Sequence, residues 1–413
     1  MFYVQNPSGM ATLARRLRGR KGPTPSGKTR LSATLLTEVG KALRHRQDEA
    51  VTPQRILLAT AAAAAFRDAT ARLTRLRRRA GLDLVMAYSI KTSPAPELLG
   101  MARDAGLWAE AIAQTEVAHA LRLGFPARHV VLNGPGKWWP GPVPLPAYGA
   151  VFCDSLEELH ALHPRVKTGR LRTDTFGIRL RPATVNSRFG IGLHEPETLT
   201  TVLARLAALP KSQGLGFHFH IASSMVGVRT WLGLADNFLA AVGVLCERVP
   251  DRSVTLSFGG GWHPDDWTPF LEKDLPRLVA TCERRLPMVR RIILEPGKAL
   301  AQASMCVTTR VLEVRRRREA TELVVDASIA ELPDVRSHPH HVVSRKASGT
   351  PAVWGPGRDR ILGRLCMEFD ILSDDVQVPR GIKAGDLVAY LNAGAYDASM
   401  AYHFGRGDAA RPA

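Results

Sequence analysis

Eight short apolar runs, at residues 84–90, 107–112, 129–132, 150–153, 176–180, 215–220, 254–258 and 291–294, alternate with amphipathic stretches such as 96–105, 156–163, 195–208, 230–249 and 267–285. Short, turn-bounded apolar runs separated by helical periodicity mark parallel strands joined by crossover helices. Eight such units in succession fit a (β/α)8 barrel, although an open doubly wound sheet gives the same alternation. The polar residues separate the two. Lys91, Glu110, Asn133, Asp154, Arg179, His220, Gly259 and Glu295 each fall at or near the carboxyl end of a run. A closed barrel gathers those ends on one face, where barrel enzymes keep their chemistry, whereas an open sheet spreads them along a line.

After about residue 300 the pattern changes to strand-like runs at 306–314, 322–325, 341–344, 361–365 and 387–391, separated by Gly, Pro and Asp turns. That pattern predicts a second, all-β domain. The expected division is a basic N-terminal segment at 1–50, partly flexible around 22–27 and available to join the β domain, then a barrel at 51–300 and a β-sheet domain at 301–413.

Lysine and arginine number 56 against 38 aspartate and glutamate, a formal net charge of +18. Such a surface attracts anionic partners. No nucleic-acid-binding motif accompanies the arginine clusters, so nucleic acid is not expected, while an acidic carrier protein is compatible with the charge. Five dispersed cysteines (153, 246, 282, 306 and 366) have neither disulfide nor metal-ligand spacing, which suggests a reducing, cytoplasmic setting. The longest apolar run, 56–66, is about half of a membrane span, and the first residues lack the apolar core of a signal peptide. His338, His340 and His341 match no metal-ligand spacing, and no metal is expected.

Several residues carry chemistry in this order. A lysine at a strand end, Lys91, is a candidate Schiff-base former if its amine is desolvated or has cations nearby. The turn Gly259-Gly260-Gly261 lets backbone N–H groups approach a phosphate, and the loops after the seventh and eighth strands of a barrel are common phosphate sites. Glu295, opening Glu295-Pro296-Gly297-Lys298, is placed to pair with a pyridine nitrogen and keep it protonated. His220 can stack on a cofactor ring, and Cys366 can donate a proton.

The set resembles the pyridoxal phosphate (PLP)-dependent decarboxylases of the alanine-racemase-like barrel fold (fold type III), nearer to the diaminopimelate branch than to the ornithine branch. The matching stretches run from Ala87-Tyr88-Ser89-Ile90-Lys91 through Ser187-Arg188-Phe189-Gly190, His218-Phe219-His220-Ile221-Ala222-Ser223, the triple glycine and Glu295-Pro296-Gly297-Lys298 to Cys366 and Gly394-Ala395-Tyr396. The resemblance implies that Lys91 anchors the cofactor covalently, His220 stacks on its ring and Glu295 contacts the ring nitrogen. It implies that Ser223, Gly259, Gly260, Gly261 and Tyr396 hold the phosphate, with Gly297 and Lys298 nearby and Arg179 among the cofactor-binding positions. Cys366 would reprotonate the substrate carbanion from the partner subunit, so a homodimer with shared sites is implied.

The chain also departs from that pattern. Lys298 stands where arginine is usual, Ala222 replaces a glycine, Ala113 replaces a serine, and Met367 follows the cysteine where an acidic residue is usual. Residues 326–341 lack the arginine-proline and tyrosine pattern of a diaminopimelate decarboxylase. The expectation is therefore an amino-acid decarboxylase with altered side-chain preference, in a specialised pathway. Three alternatives stay open: a decarboxylase of a carrier-tethered aminoacyl group, an amino-acid racemase, and a silent PLP-fold binding protein.

Overall fold

The computed structural model describes residues 31–44, 51–137, 147–338, 340–345 and 350–404. A first strand, β1 (Gln54–Leu57), precedes a closed parallel barrel. The barrel strands are β2 (Asp83–Ser89), β3 (Trp108–Ala111), β4 (Val130–Leu132), β5 (Tyr148–Cys153), β6 (Thr173–Arg179), β7 (Gly214–His218), β8 (Val254–Ser257) and β9 (Val289–Leu294). They pair in sequence order, and β9 closes on β2 through Asp83↔Arg291 to Met86↔Leu294. Each expected run coincides with one of these strands.

Strand alternation explains how the barrel is filled. Val85, Ala87, Trp108, Val131, Ala150, Phe152 and Ile293 form a separate buried cluster inside the barrel. One or two steps further along the same inward register come Ser89, Glu110, Asn133, Asp154, Arg179, His218, Ser257 and Glu295. The period of two therefore builds an apolar plug with a polar layer above it. Gly177 and Gly216 sit opposite each other on β6 and β7, and a methyl group on Gly216 would run into the Phe152 ring. The ring occupies the volume those side chains give up.

The outward residues pack under the helices. Helix Val228–Arg248 is long and apolar enough to span a membrane by length and composition. Here it is a core helix: Trp231, Leu234, Ala235, Phe238, Leu239, Val242, Leu245 and Cys246 are buried. Trp231 packs edge-on to Phe270 and within 5.6 Å of Trp262.

The second sheet comprises β10 (Met305–Arg316), β11 (Thr321–Val325), β12 (Val342–Arg345), β13 (Pro351–Val353), β14 (Pro356–Leu362), β15 (Ile371–Val376) and β16 (Leu387–Leu391). Its order is β13-β12-β16-β10-β11-β14-β15, with β1 added antiparallel along β10. Only the β11–β14 pair is parallel among these strands. So β1, within the 51–300 span, lies in the second sheet, and that sheet is assembled from both sides of the barrel. Strands β1, β13 and β15 were not foreseen.

Of the segment 1–50, residues 1–30 and 45–50, including the 22–27 stretch, lie outside the described residues. The described part holds a helix, Ala33–Arg44, that buries Leu35, Val39 and Leu43. These sit at helical spacing within a stretch whose composition reads as polar. Glu38 accepts hydrogen bonds from the Thr60 and Ala61 N–H groups (2.9 and 3.0 Å), capping helix Ala59–Arg77, which has no cap of its own.

Candidate active site

The short turn Ile90–Thr92 at the end of β2 carries Lys91 into the mouth. Its Nζ donates to both oxygens of Glu110 at the end of β3 (2.8 and 2.6 Å). Ser89, one inward step below, donates to the same carboxylate. Glu110 is buried, and the lysine side chain retains 28% exposure. Burial alone would lower the Lys91 pKa, but Glu110, with Glu295 beyond it, outweighs this and holds the amine as ammonium.

Glu295 follows β9 and is fully buried. Donors from three other strand ends converge on its carboxylate. Asn133 Nδ2 reaches both oxygens at 3.2 Å, Ser257 Oγ donates to Oε1 at 2.7 Å, and His218 Nε2 lies 3.2 Å from Oε2. Burial works to raise the Glu295 pKa, yet the His218 and His220 contacts win and hold it well below the usual carboxylate range.

His220 Nδ1 also lies near this carboxylate, at 3.7 Å, but the Gly260 N–H donates to that same nitrogen (3.2 Å). Nδ1 is therefore an acceptor, and burial lowers the His220 pKa, so the ring is neutral. Arg179, at the end of β6, pairs with Asp154 (3.2 Å) and donates to the His220 carbonyl (3.2 Å).

The glycine turn is pressed against these groups. A methyl on Gly259 would enter the His220 ring, and one on Gly260 would collide with the Glu295 carbonyl. Gly259 and Gly261 also have left-handed φ, 63° and 89°. Close packing therefore demands glycine here, whatever the turn binds. Beside it, Ser223 Oγ donates weakly to the Gly261 carbonyl (3.4 Å). Gly297 abuts Thr92, and Tyr396, φ 67°, donates its N–H to the Thr92 carbonyl (2.7 Å), bringing the second domain to the lysine turn.

Lys298 differs from all of these. It is 4% exposed, and its Nζ has no hydrogen-bond partner among the described residues. Burial pushes its pKa down to about 8, against the pull of Asp334 and Asp397. Those carboxylates are themselves engaged: His338 Nδ1 meets Asp334 at 2.6 Å and His340 Nε2 meets Asp397 at 2.8 Å. His338 and His340 thus form separate pairs with aspartates.

Cys366 lies elsewhere, exposed between β14 and β15, where Leu365 and Gly363 bond to Asp370. No hydrogen bond or ion pair among the described residues joins it to Lys91 or Glu295. The structure thus brings together Lys91, Arg179, His220, Ser223, the glycine turn, Glu295, Gly297, Lys298 and Tyr396, and leaves Cys366 outside. Sequence reasoning gave no role to His218, Asn133 or Ser257. The inward step of two below His220 was the available signal for His218.

A family model described as pyridoxal-dependent decarboxylase, pyridoxal binding domain, matches residues 67–302. The chain is 26% identical to diaminopimelate decarboxylase of Actinosynnema pretiosum subsp. auranticum over 354 residues, 79% of this chain and 77% of that protein. It is 24% identical to an L-glutamyl-(BtrI acyl-carrier protein) decarboxylase of Niallia circulans, covering 80% and 82% of the two chains. In fold it matches diaminopimelate decarboxylase from M. jannaschii in complex with L-lysine, with a TM-score of 0.71 at 17% identity, over 89% of this chain and 86% of that one.

Proposed function

The chain belongs to the pyridoxal-dependent decarboxylase family, and from that premise we propose that it removes the α-carboxylate of an amino acid as carbon dioxide, with Lys91 as the covalent anchor of pyridoxal 5′-phosphate. The observation that carries this reading is Glu295: a fully buried carboxylate kept ionised by protein donors, in the same mouth as a lysine. The residues fit the group at both ends. Glu295 would pair with the ring nitrogen, and the buried Lys298 ammonium, without a hydrogen-bond partner among the described residues, suits a phosphate.

When bound, the cofactor supplies an electron sink for the pair left on the substrate's α-carbon. The chain's own residues do the rest. Glu110 accepts the proton Lys91 must lose to become a nucleophile. Glu295 would keep a proton on the ring nitrogen, and neutral His220 would support the ring. Gly259, Gly260, Gly261, Ser223, Gly297, Lys298 and Tyr396 hold the phosphate, and Arg179 fixes the His220 carbonyl. The exposed turn with Cys366 and Phe369 suits an interface with a second copy that delivers Cys366 to the other site. Cys366 of the partner subunit then returns a proton to the α-carbon. Five free thiols support a reducing compartment such as the cytoplasm.

A second reading, decarboxylation of an aminoacyl group on an acidic carrier protein, draws support from the Niallia circulans relative and from the altered 326–341 segment, where Asp334 turns inward to His338. One assay tests both. The cofactor-loaded protein is given free amino acids and a carrier-tethered glutamyl group, with products read by mass and carbon dioxide by release. Equal yields of an amine and carbon dioxide are expected, and Lys91→Ala should lose both along with the visible absorbance. Racemised substrate without gas, or failure to bind the cofactor, overturns the proposal.

A further inference from the structure

Resting on the reading that Glu295 partners the cofactor ring, we propose that His218 is the histidine that positions the Glu295 carboxylate for that task, through a hydrogen bond that His220 does not make. His218 ends β7 and His220 follows two residues later, both close to the buried Glu295 carboxylate. Their rings are 6.0 Å apart. Their hydrogen bonds divide the labour. His220 Nδ1 already accepts the Gly260 N–H at 3.2 Å, so it has no proton to give Glu295. His218 Nε2 lies 3.2 Å from Glu295 Oε2 and faces no competing donor.

A packing role does not account for His218. It is 1% exposed, at the floor of the polar layer, with its ring 5.3 Å from Phe152 of the apolar plug. Its Nδ1 has no hydrogen-bond partner among the described residues. An aliphatic side chain would suit contact with Phe152 without leaving a buried nitrogen unsatisfied. The one polar contact it gains is the carboxylate. Ser257 bonds only Oε1 and Asn133 is shared between both oxygens, so His218 is the one partner given to Oε2 alone. Asn133, Ser257 and His218 all bond the carboxylate, while His220 Nδ1 stands at a non-bonding 3.7 Å from Oε2.

The test reads the protonation of the cofactor ring, using pyridoxal phosphate isotopically labelled at its ring nitrogen and nitrogen NMR. In wild type the nitrogen should be protonated at neutral pH. His218→Leu should shift it to the unprotonated position and weaken cofactor binding by roughly tenfold or more. His218→Gln, which restores an amide donor near the position of Nε2, should recover the protonated signal. Should His218→Leu fail to fold, His218→Gln against His218→Met serves the same comparison. A folded His218→Leu or His218→Met protein with its ring nitrogen still protonated overturns the proposal. Glu295→Gln separates the two levels: if that variant also keeps the proton, the assignment of Glu295 itself is wrong. If it loses the proton while the aliphatic His218 variants keep it, only the role of His218 falls.

Discussion

Glu295 and Lys298 are three positions apart and both almost wholly buried, yet the protein surrounds them differently. Asn133, Ser257 and His218 close on the Glu295 carboxylate from three strands. Nothing among the described residues hydrogen-bonds the Lys298 ammonium. The first charge is completed by the fold itself and so is preorganised: its donors need no rearrangement when a ligand arrives. The second is left incomplete and costs stability until an anion joins it. A ring nitrogen must be held in one direction, whereas a phosphate needs charge and room.

The comparison can be broken at either end. Glu295→Gln has the largest expected effect. It should cut kcat by roughly a hundredfold or more. It should also destabilise the cofactor-free protein by about 2–3 kcal/mol, because donors from three strands lose their anion. Chemical denaturation without cofactor checks the second part, and an unchanged midpoint would show that the donor cage is not a stability element. Lys298→Met should behave in the reverse sense. Cofactor affinity should fall roughly tenfold to a hundredfold, while the cofactor-free protein stays as stable or becomes more so. Loss of stability in that variant would erase the contrast.

Glu110→Gln sharpens the picture at the lysine. Since Glu110 holds the Lys91 pKa up against burial, its removal should move the pH midpoint of cofactor capture downward. Stopped absorbance measurements across pH read this directly. The smallest effect is expected at Asp334, whose pKa burial and Asp397 raise to about 6. A carboxyl group whose folded pKa lies above its unfolded value favours the folded state when protonated, and that advantage is lost as pH climbs through the interval. Asp334→Asn should therefore gain about 1–2 kcal/mol over wild type above pH 6 and nothing well below the ordinary aspartate range.

The barrel was legible because its strands are buried on both faces and end on polar residues at one inward register. Lys91, Glu110, Asn133, Arg179 and Glu295 could be placed at the mouth by counting steps of two. What counting could not show is which of them touch. Asn133 meets Glu295 across strands that are not neighbours, and such pairings depend on barrel closure and strand tilt rather than on spacing. The second sheet was read less fully. Strand β15 contains Ser373, Asp374 and Asp375, and β14 alternates arginine with aspartate, so an edge exposed to water hides its strand pattern. The helix Ala33–Arg44 escaped notice because its buried Leu35, Val39 and Leu43 are diluted by a basic neighbourhood.

Strand β1 leaves the ribosome early, while the strand it zips to arrives much later: Gln54 and Thr308 are 254 residues apart. During synthesis the whole cylinder can close before β1 has anything to hold. The sheet that brings Tyr396 to Lys91 is therefore finished last, and no single cut of the chain releases it as a piece with all its strands. A nascent or truncated product ending before residue 305 would carry the complete ring of barrel strands beside a stranded, unpaired edge.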